Sequence, residues 1–196
     1  MIRSGAGHSN DAEGMRAVDA ALSEALANLS GSVADVVFLF ATYHHMGDAA
    51  AMVDVAIDRA GTDVVVGCSA MGVLTDAREN DREPGVAVLA LAGDQLSVVP
   101  IVAEGDEEDN FVGERVLPYS DEAGLLVLMP GVTSNPVVLI DQVAEMVGNV
   151  PIVGGVASGN PWAQESPRTL QWCGNWIGEN GIAGVLLTGV KVATGV

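Results

Sequence analysis

The sequence predicts an α/β fold, with α+β as the alternative. Two copies of a strand–helix–strand–hairpin unit would form mixed sheets with helices packed on their faces. Three observations predict it. Short continuous apolar runs rich in β-formers alternate with amphipathic segments, the pattern of strands buried on both faces between crossover helices. The runs recur at matched spacing, 26 residues from Ala41 to Gly67 and 24 from Pro130 to Gly154. A chain of 196 residues, 49% of them apolar, is also long enough to bury a core without disulfide or metal staples.

In chain order, Met1 to Gly7 has no apolar stretch of signal-peptide type and reads as a mobile end, with no role for His8. Asn10 followed by Glu13 forms a capping-box pattern. Met15, Val18, Leu22, Ala25, Leu26 and Leu29 then recur at helical spacing, which predicts a helix over 11–29. Val36 to Ala41 reads as a buried strand. A second helix over 48–60 starts at Asp48 as N-cap and stops at Gly61. Val64 to Val66 is a further strand, running into Gly67-Cys68-Ser69-Ala70-Met71-Gly72. After a polar stretch from Thr75 to Pro84, Val86 to Leu91 and Leu96 to Val102 read as a hairpin.

The second half repeats this plan. Gly124 to Met129 is a strand, Ser134 caps a helix with Pro136 in its first turn and Gly148 at its end, and Val150 to Val153 enters Gly154-Gly155-Val156-Ala157-Ser158-Gly159. Superposing Gly67 on Gly154 aligns Ala70 with Ala157 and Gly72 with Gly159, and the segment from Gly85 is echoed by the one from Gly181. Residues 160–180 hold all three tryptophans and read as a hairpin inserted in the second copy; a last strand is expected from Val190. The chain divides into an N-terminal helix packing on the domain (1–32), a first unit (33–103), an acidic connector (104–123) and a second unit (124–196). The last strand reaches Val196 without a cap, which suggests a boundary inside a longer protein.

Charge excludes some functions. Asp and Glu number 26 against 8 Lys and Arg, a net charge of −18, with no basic cluster. Nucleic acid and anionic membrane surfaces, which both demand clustered cations, are excluded as partners. The longest apolar runs fall far short of the roughly 20 residues of a membrane helix. Cys68 and Cys173 make no disulfide framework and no zinc spacing with the three histidines, so no cofactor or metal is expected. The protein reads as cytoplasmic, with reduced thiols.

Ligands in open α/β sheets bind beyond the carboxyl ends of parallel strands. Those ends carry Thr42-Tyr43-His44-His45 and Gly67 to Gly72 in the first unit, and Pro130 to Thr133 and Gly154 to Gly159 in the second. His44 or His45 near Cys68 would make a nucleophile and base pair, the enzyme reading. Against it, a free cysteine is often a buried small hydrophobe. Adjacent histidines on extended backbone point opposite ways and share no ion, so one is expected to pack and the other to be solvated. The glycine segments lack the Lys and Ser/Thr of a phosphate loop.

The strand running into Gly67-Cys68-Ser69-Ala70-Met71-Gly72, then Pro84-Gly85-Val86-Ala87-Val88-Leu89-Ala90, then Gly154-Gly155-Val156-Ala157-Ser158-Gly159, resembles the N-terminal half of the FIST sensory domain, from about residue 33 to the end. The resemblance implies a small-ligand sensor of bacterial signal transduction, with amino acids or related metabolites as ligands and a C-terminal FIST-type domain as partner. It brings no catalytic residues. The leading reading is therefore a binding module. Its ligand-binding residues are Tyr43, His44, His45, Cys68, Ser69, Met71, Thr133 and Ser158. Ser69, Ser158 and the glycine-segment N–H groups would hold a carboxylate or carbonyl, and Tyr43 or Met71 would line the apolar side. A structural half-domain that oligomerises, with itself or with the C-terminal part, is the other alternative. Acids concentrate between the units and at 76–83 rather than at the strand ends, which favours a zwitterionic or neutral ligand.

Overall fold

A computed structural model describes residues 1–105, 111–112, 123–130, 138, 141–142, 144–145, 150–160, 162, 168–179 and 181–190. Its first part comprises β1 (Ile2–Ser9), α1 (Gly14–Ala27), β2 (Val36–Thr42), a 3-10 helix (Tyr43–Asp48), α2 (Ala49–Ala60), β3 (Val65–Ala70), the short pair β4 (Val73–Leu74) and β5 (Glu79–Asn80), and β6 (Val86–Gly93). There follow β7 (Ser97–Gly105), β8 (Phe111–Val112), β9 (Ala123–Pro130), β10 (Ile152–Gly154), β11 (Gln171–Cys173), β12 (Trp176–Gly178) and β13 (Gly181–Thr188). One mixed sheet runs β1-β6-β2-β3-β11-β12, and a second runs β10-β9-β13-β7-β8.

The two sheets share a four-strand plan. Each has one parallel pair, β2 with β3 and β9 with β10. Beside it lies an antiparallel strand, β6 or β13, and beyond that a second, β1 or β7. The registers agree residue by residue. Leu39 faces Gly67 and Val88, and Val88 faces Gly7. Leu128 faces Gly154 and Gly184, and Gly184 faces Ile101. The sequence equivalences of Gly67 with Gly154 and of Gly85 with Gly181 are therefore also equivalences of strand position.

Two expectations are corrected by this pairing. The segment read as a mobile end is β1, paired along its whole length with β6, and His8 within it is buried. The hairpin expected from Val86 to Val102 is not formed. Both edges of β6 are taken by β1 and β2, so the chain leaves the first sheet at Gly93 and enters the second as β7. The tryptophan-bearing hairpin is present as β11 and β12, and it extends the first sheet by pairing with β3.

Local chemistry accounts for the helices. Glu13, and not Asn10, caps α1; its carboxylate accepts from the N–H groups of Met15 and Arg16. The helix therefore starts at Gly14, three residues later than the spacing predicts. It lies on β1 at backbone contact. A Cβ on Gly5 or Gly7 would collide with the carbonyl oxygens of Ala25 or Ala21, which explains the Gly-Ala-Gly of an otherwise ordinary strand. Asp48 precedes α2 without a side-chain capping bond, and Gly61 ends it at φ +70°, a left-handed stop that glycine takes without strain.

Alternation along β2 and β3 divides the core. Val37, Leu39 and Val65 face α1 and α2, joined by Leu22, Met52 and Trp172. Val36, Phe38, Val66 and Cys68 face the other way, against Ala183, Val185 and Leu187 of the second sheet. The layers are thus helices, first sheet and second sheet. Within the second-half helix expected from Ser134, residues 138, 141–142 and 144–145 are helical. Its ends, the glycine-rich turn with Thr133, most of the acidic connector and the last strand from Lys191 lie outside the described residues.

Candidate functional site

The ends of β2 and β3 form one edge of a closed space. Thr42, the last residue of β2, is fully buried. Its N–H donates to the Gly85 carbonyl at 2.8 Å and its hydroxyl accepts from the Gly85 N–H at 3.0 Å. That clamp fixes the start of the 3-10 helix. Tyr43 stacks on His44 with ring centroids 4.0 Å apart, and the His44 Nδ1 lies 3.2 Å from the Thr42 hydroxyl oxygen. His44 is exposed, while His45 is 2% exposed and turns inward. The two neighbours diverge, but on a 3-10 helix and not on the extended backbone that the sequence suggests.

His45 shares this space with Thr42, Met46, Met52, Ser69 and Trp172, roofed by the 3-10 helix and floored by the first sheet. The lining side chains pack so closely that no gap among them admits a water. His45 Nε2 and Trp172 Nε1 are both buried without a hydrogen-bond partner. Burial pushes the imidazole below the ordinary histidine range. The Asp48, Asp11 and Glu13 carboxylates oppose that shift, and His44 adds to it. Trp172 reaches the space because β11 sets it opposite Gly67, where a Cβ would sit 2.6 Å from the indole nitrogen.

Ser69 and Ser158 meet, but as a structural stitch. The Ser69 hydroxyl donates to the Ser158 carbonyl and accepts from the Leu170 N–H, each at 3.0 Å. The Ser158 N–H returns a bond to the Ser69 carbonyl, and its hydroxyl accepts from the Met71 N–H at 2.8 Å. The two glycine-rich segments that the sequence aligns are thereby tied end to end. Met71 itself is exposed.

Cys68 is not brought to His44 or His45, which corrects its assignment to the site. Residues alternate along a strand, so Ser69 faces the His45 space while Cys68 turns into the core between the sheets with Cys173. Burial pushes its thiol up to about 12 and that of Cys173 to about 11, values at which neither is a thiolate near neutral pH. Thr133 lies outside the described residues. Trp172 escaped the sequence reading. Its signal was the pairing of a small residue in β3 with the one large aromatic of an adjacent hairpin strand, legible only once β11 is known to pair with β3.

The family model of the FIST N domain matches residues 35–196. The chain belongs to the FIST N domain family. FIST domains are sensory domains of signal-transduction proteins. No curated protein matches the chain. Among solved structures, a crystal structure of cyanuric acid hydrolase from A. caulinodans aligns at 11% identity and a TM-score of 0.41, over 96% of this chain and 70% of that one. The match begins at Asp35, so β1 and α1 of this FIST N domain precede it, although both are built into the first sheet and its core.

Among the described residues of the FIST N domain, no helix is long and apolar enough to cross a membrane. None holds three or more His, Cys, Asp or Glu placed for a metal ion. Each arginine among them is paired with a carboxylate, from Arg3 with Asp94 to Arg168 with Glu179. That pairing leaves the −18 charge without a local cationic patch on the described surface.

Proposed function

We propose that this FIST N domain senses a small molecule that enters beneath the 3-10 helix at the ends of β2 and β3, with His45 and Trp172 as its polar anchors. One observation carries the reading: two buried ring nitrogens without partners line a single closed space. A buried polar atom left unpaired costs about 1–3 kcal/mol, and an occupant that bonds both nitrogens recovers that cost.

The chemistry of the lining narrows the ligand. The Trp172 Nε1–H only donates, so it takes an acceptor such as a carbonyl oxygen. A neutral imidazole at His45 offers a lone pair or an N–H, according to its tautomer. No cation lines the space, so a bare carboxylate or phosphate would enter unpaired. The group that enters is neutral, such as the amide end of an amino acid or of a related small metabolite, with any charged end kept outside. Met46 and Met52 give an adaptable apolar wall. Ser69 and Ser158 serve as frame and not as anchors, because their hydroxyls already bridge backbone groups.

The space is closed, so entry displaces the 3-10 helix, which runs directly into α2 at Ala49. Movement of α2 is then the output, passed on with the C-terminal domain that the resemblance implies. A thermal-shift panel of amino acids, their amides and small carboxylates tests this, since a ligand at 100 times its Kd adds about 2.7 kcal/mol of stability. An amide-bearing member is expected to raise the midpoint of the native chain, and to do so far less for Trp172→Phe and His45→Leu. A panel that leaves the native midpoint unmoved, or shifts both variants equally, overturns the reading.

A further inference from the structure

We propose that the outer edge of β10 is a docking strand for an antiparallel β-hairpin of a further unit of this fold, with a large aromatic side chain seated opposite Gly154. The argument comes from what covers the equivalent edge of the first sheet. There β3 pairs with β11, setting Gln171 opposite Cys68, Trp172 opposite Gly67 and Cys173 opposite Val66. The hairpin of β11 and β12 belongs to the second unit, between β10 and β13, yet it completes the sheet of the first.

β10 is the second unit's β3. Leu39 faces Gly67 as Leu128 faces Gly154, and Val88 faces Leu39 as Gly184 faces Leu128. β10 is nevertheless an edge strand, with no described strand on its outer side. In β3, the Ser69 N–H donates to the Leu170 carbonyl and the Val65 carbonyl accepts from the Gly174 N–H, so Val65, Gly67 and Ser69 point their backbone groups outward. By the same equivalence Ile152, Gly154 and Val156 present theirs at the edge that no described strand pairs. Residues 153–156 are all exposed, with Val153 37% and Val156 45% exposed, and a Cβ on Gly155 would meet nothing within 4 Å. An apolar strand edge of this kind invites pairing. Gly67 makes room for an indole, and Gly154 holds the equivalent strand position.

Among the described residues no hairpin is left to serve as the occupant, since β11 is committed to β3 and β12 to β11, while β4 and β5 are two residues each. The occupant is therefore a hairpin of another unit. A cyclised peptide carrying residues 170–179 serves as the probe, titrated into the full chain labelled for amide detection. Slowed exchange and shifted resonances are expected at Ile152, Gly154 and Val156, with the inward-facing Val153 amide unaltered. Alanine in place of the peptide's tryptophan should weaken binding by about tenfold or more. A Val156→Pro chain, which loses one outward N–H, should bind more weakly than Val156→Ala. Amides at these positions that ignore the peptide overturn the proposal, as does a peptide whose binding is indifferent to its tryptophan. Protection that instead grows with chain concentration, without peptide, would make the occupant a second copy and also overturn it.

Discussion

His44 and His45 are neighbours in sequence and opposites in environment. His44 is exposed and stacked on Tyr43, while His45 is buried against the first sheet. Burial lowers the His45 pKa from the ordinary value of 6.5, with the Asp48, Asp11 and Glu13 carboxylates resisting and His44 assisting. The unfolded chain then binds the proton more readily than the folded one, so the contribution of His45 to stability is complete above pH 6.5 and is lost as pH falls from there through the folded pKa. The thermal midpoint is expected to drop across that window in the native chain and to drop less in His45→Leu, which cannot titrate. Equal slopes would mean that His45 gains a proton in the fold as easily as out of it. The shift in Asp11, which Arg16 holds below the ordinary carboxylate range, acts at lower pH and does not confuse the comparison.

At the scale of elements, glycines in extended or helical backbone do opposite things according to what lies above them. Gly7 is overlaid by α1 so closely that a Cβ would enter the Ala21 carbonyl, whereas a Cβ on Gly47 would meet nothing within 4 Å. Gly7→Ala is expected to destabilise by about 3 kcal/mol, since α1 must lift off β1. Gly47→Ala should be neutral or stabilising by a few tenths of a kcal/mol up to about 1, by restricting the unfolded chain. Denaturant melts of the two variants check the contrast, and comparable midpoints would mean that α1 yields easily. The same physics decides what was legible in the sequence. β2 and α2 carry strong periodicity and stand where that pattern puts them. β3, by contrast, runs on to Ala70 through the Gly67-Cys68-Ser69 that reads as a turn beyond the strand. The hairpin of β11 and β12 spans only 171–178 and holds two of the three tryptophans. β1 carries no such periodicity, because helix contact replaces its inward side chains by Gly5 and Gly7 and erases the apolar alternation that marks a strand. That His45 lies near the paired ends of β2 and β3 was legible from the strand pattern. Cys68 and Ser69 were not separable, since which of two adjacent residues faces the helices depends on register. Trp172 was illegible because its position depends on a hairpin of one unit pairing with a strand of the other.

The whole molecule is two copies of one sheet plan, and that decides where the folding unit begins. The family match starts at Asp35, but the duplication visible in the registers starts earlier, with β1 equivalent to β7. Residues 1–34 supply the strand that pairs with all of β6 and the helix whose Ala17, Val18, Ala21, Leu22 and Ala25 are fully buried on the first sheet. Without them β6 becomes an open edge, and the helix-facing side chains of β2 and β6, among them Val37, Leu39, Val88 and Ala90, lose their cover. Each large apolar side chain so exposed forfeits about 1.5–3 kcal/mol of burial, against a total stability of about 5–15 kcal/mol for a typical domain. Loss of several such residues together exceeds what the rest of the fold can offset. A chain of residues 35–196 is therefore expected to give no cooperative thermal transition, while the full chain gives one. Adding residues 1–34 back as a separate polypeptide should restore that transition, because β1 and α1 dock as one packed pair through Gly5 and Gly7. A 35–196 chain that melts at the full chain's midpoint would reduce β1 and α1 to an appendage, and the equivalence of β1 with β7 would then be a likeness of position without energetic consequence.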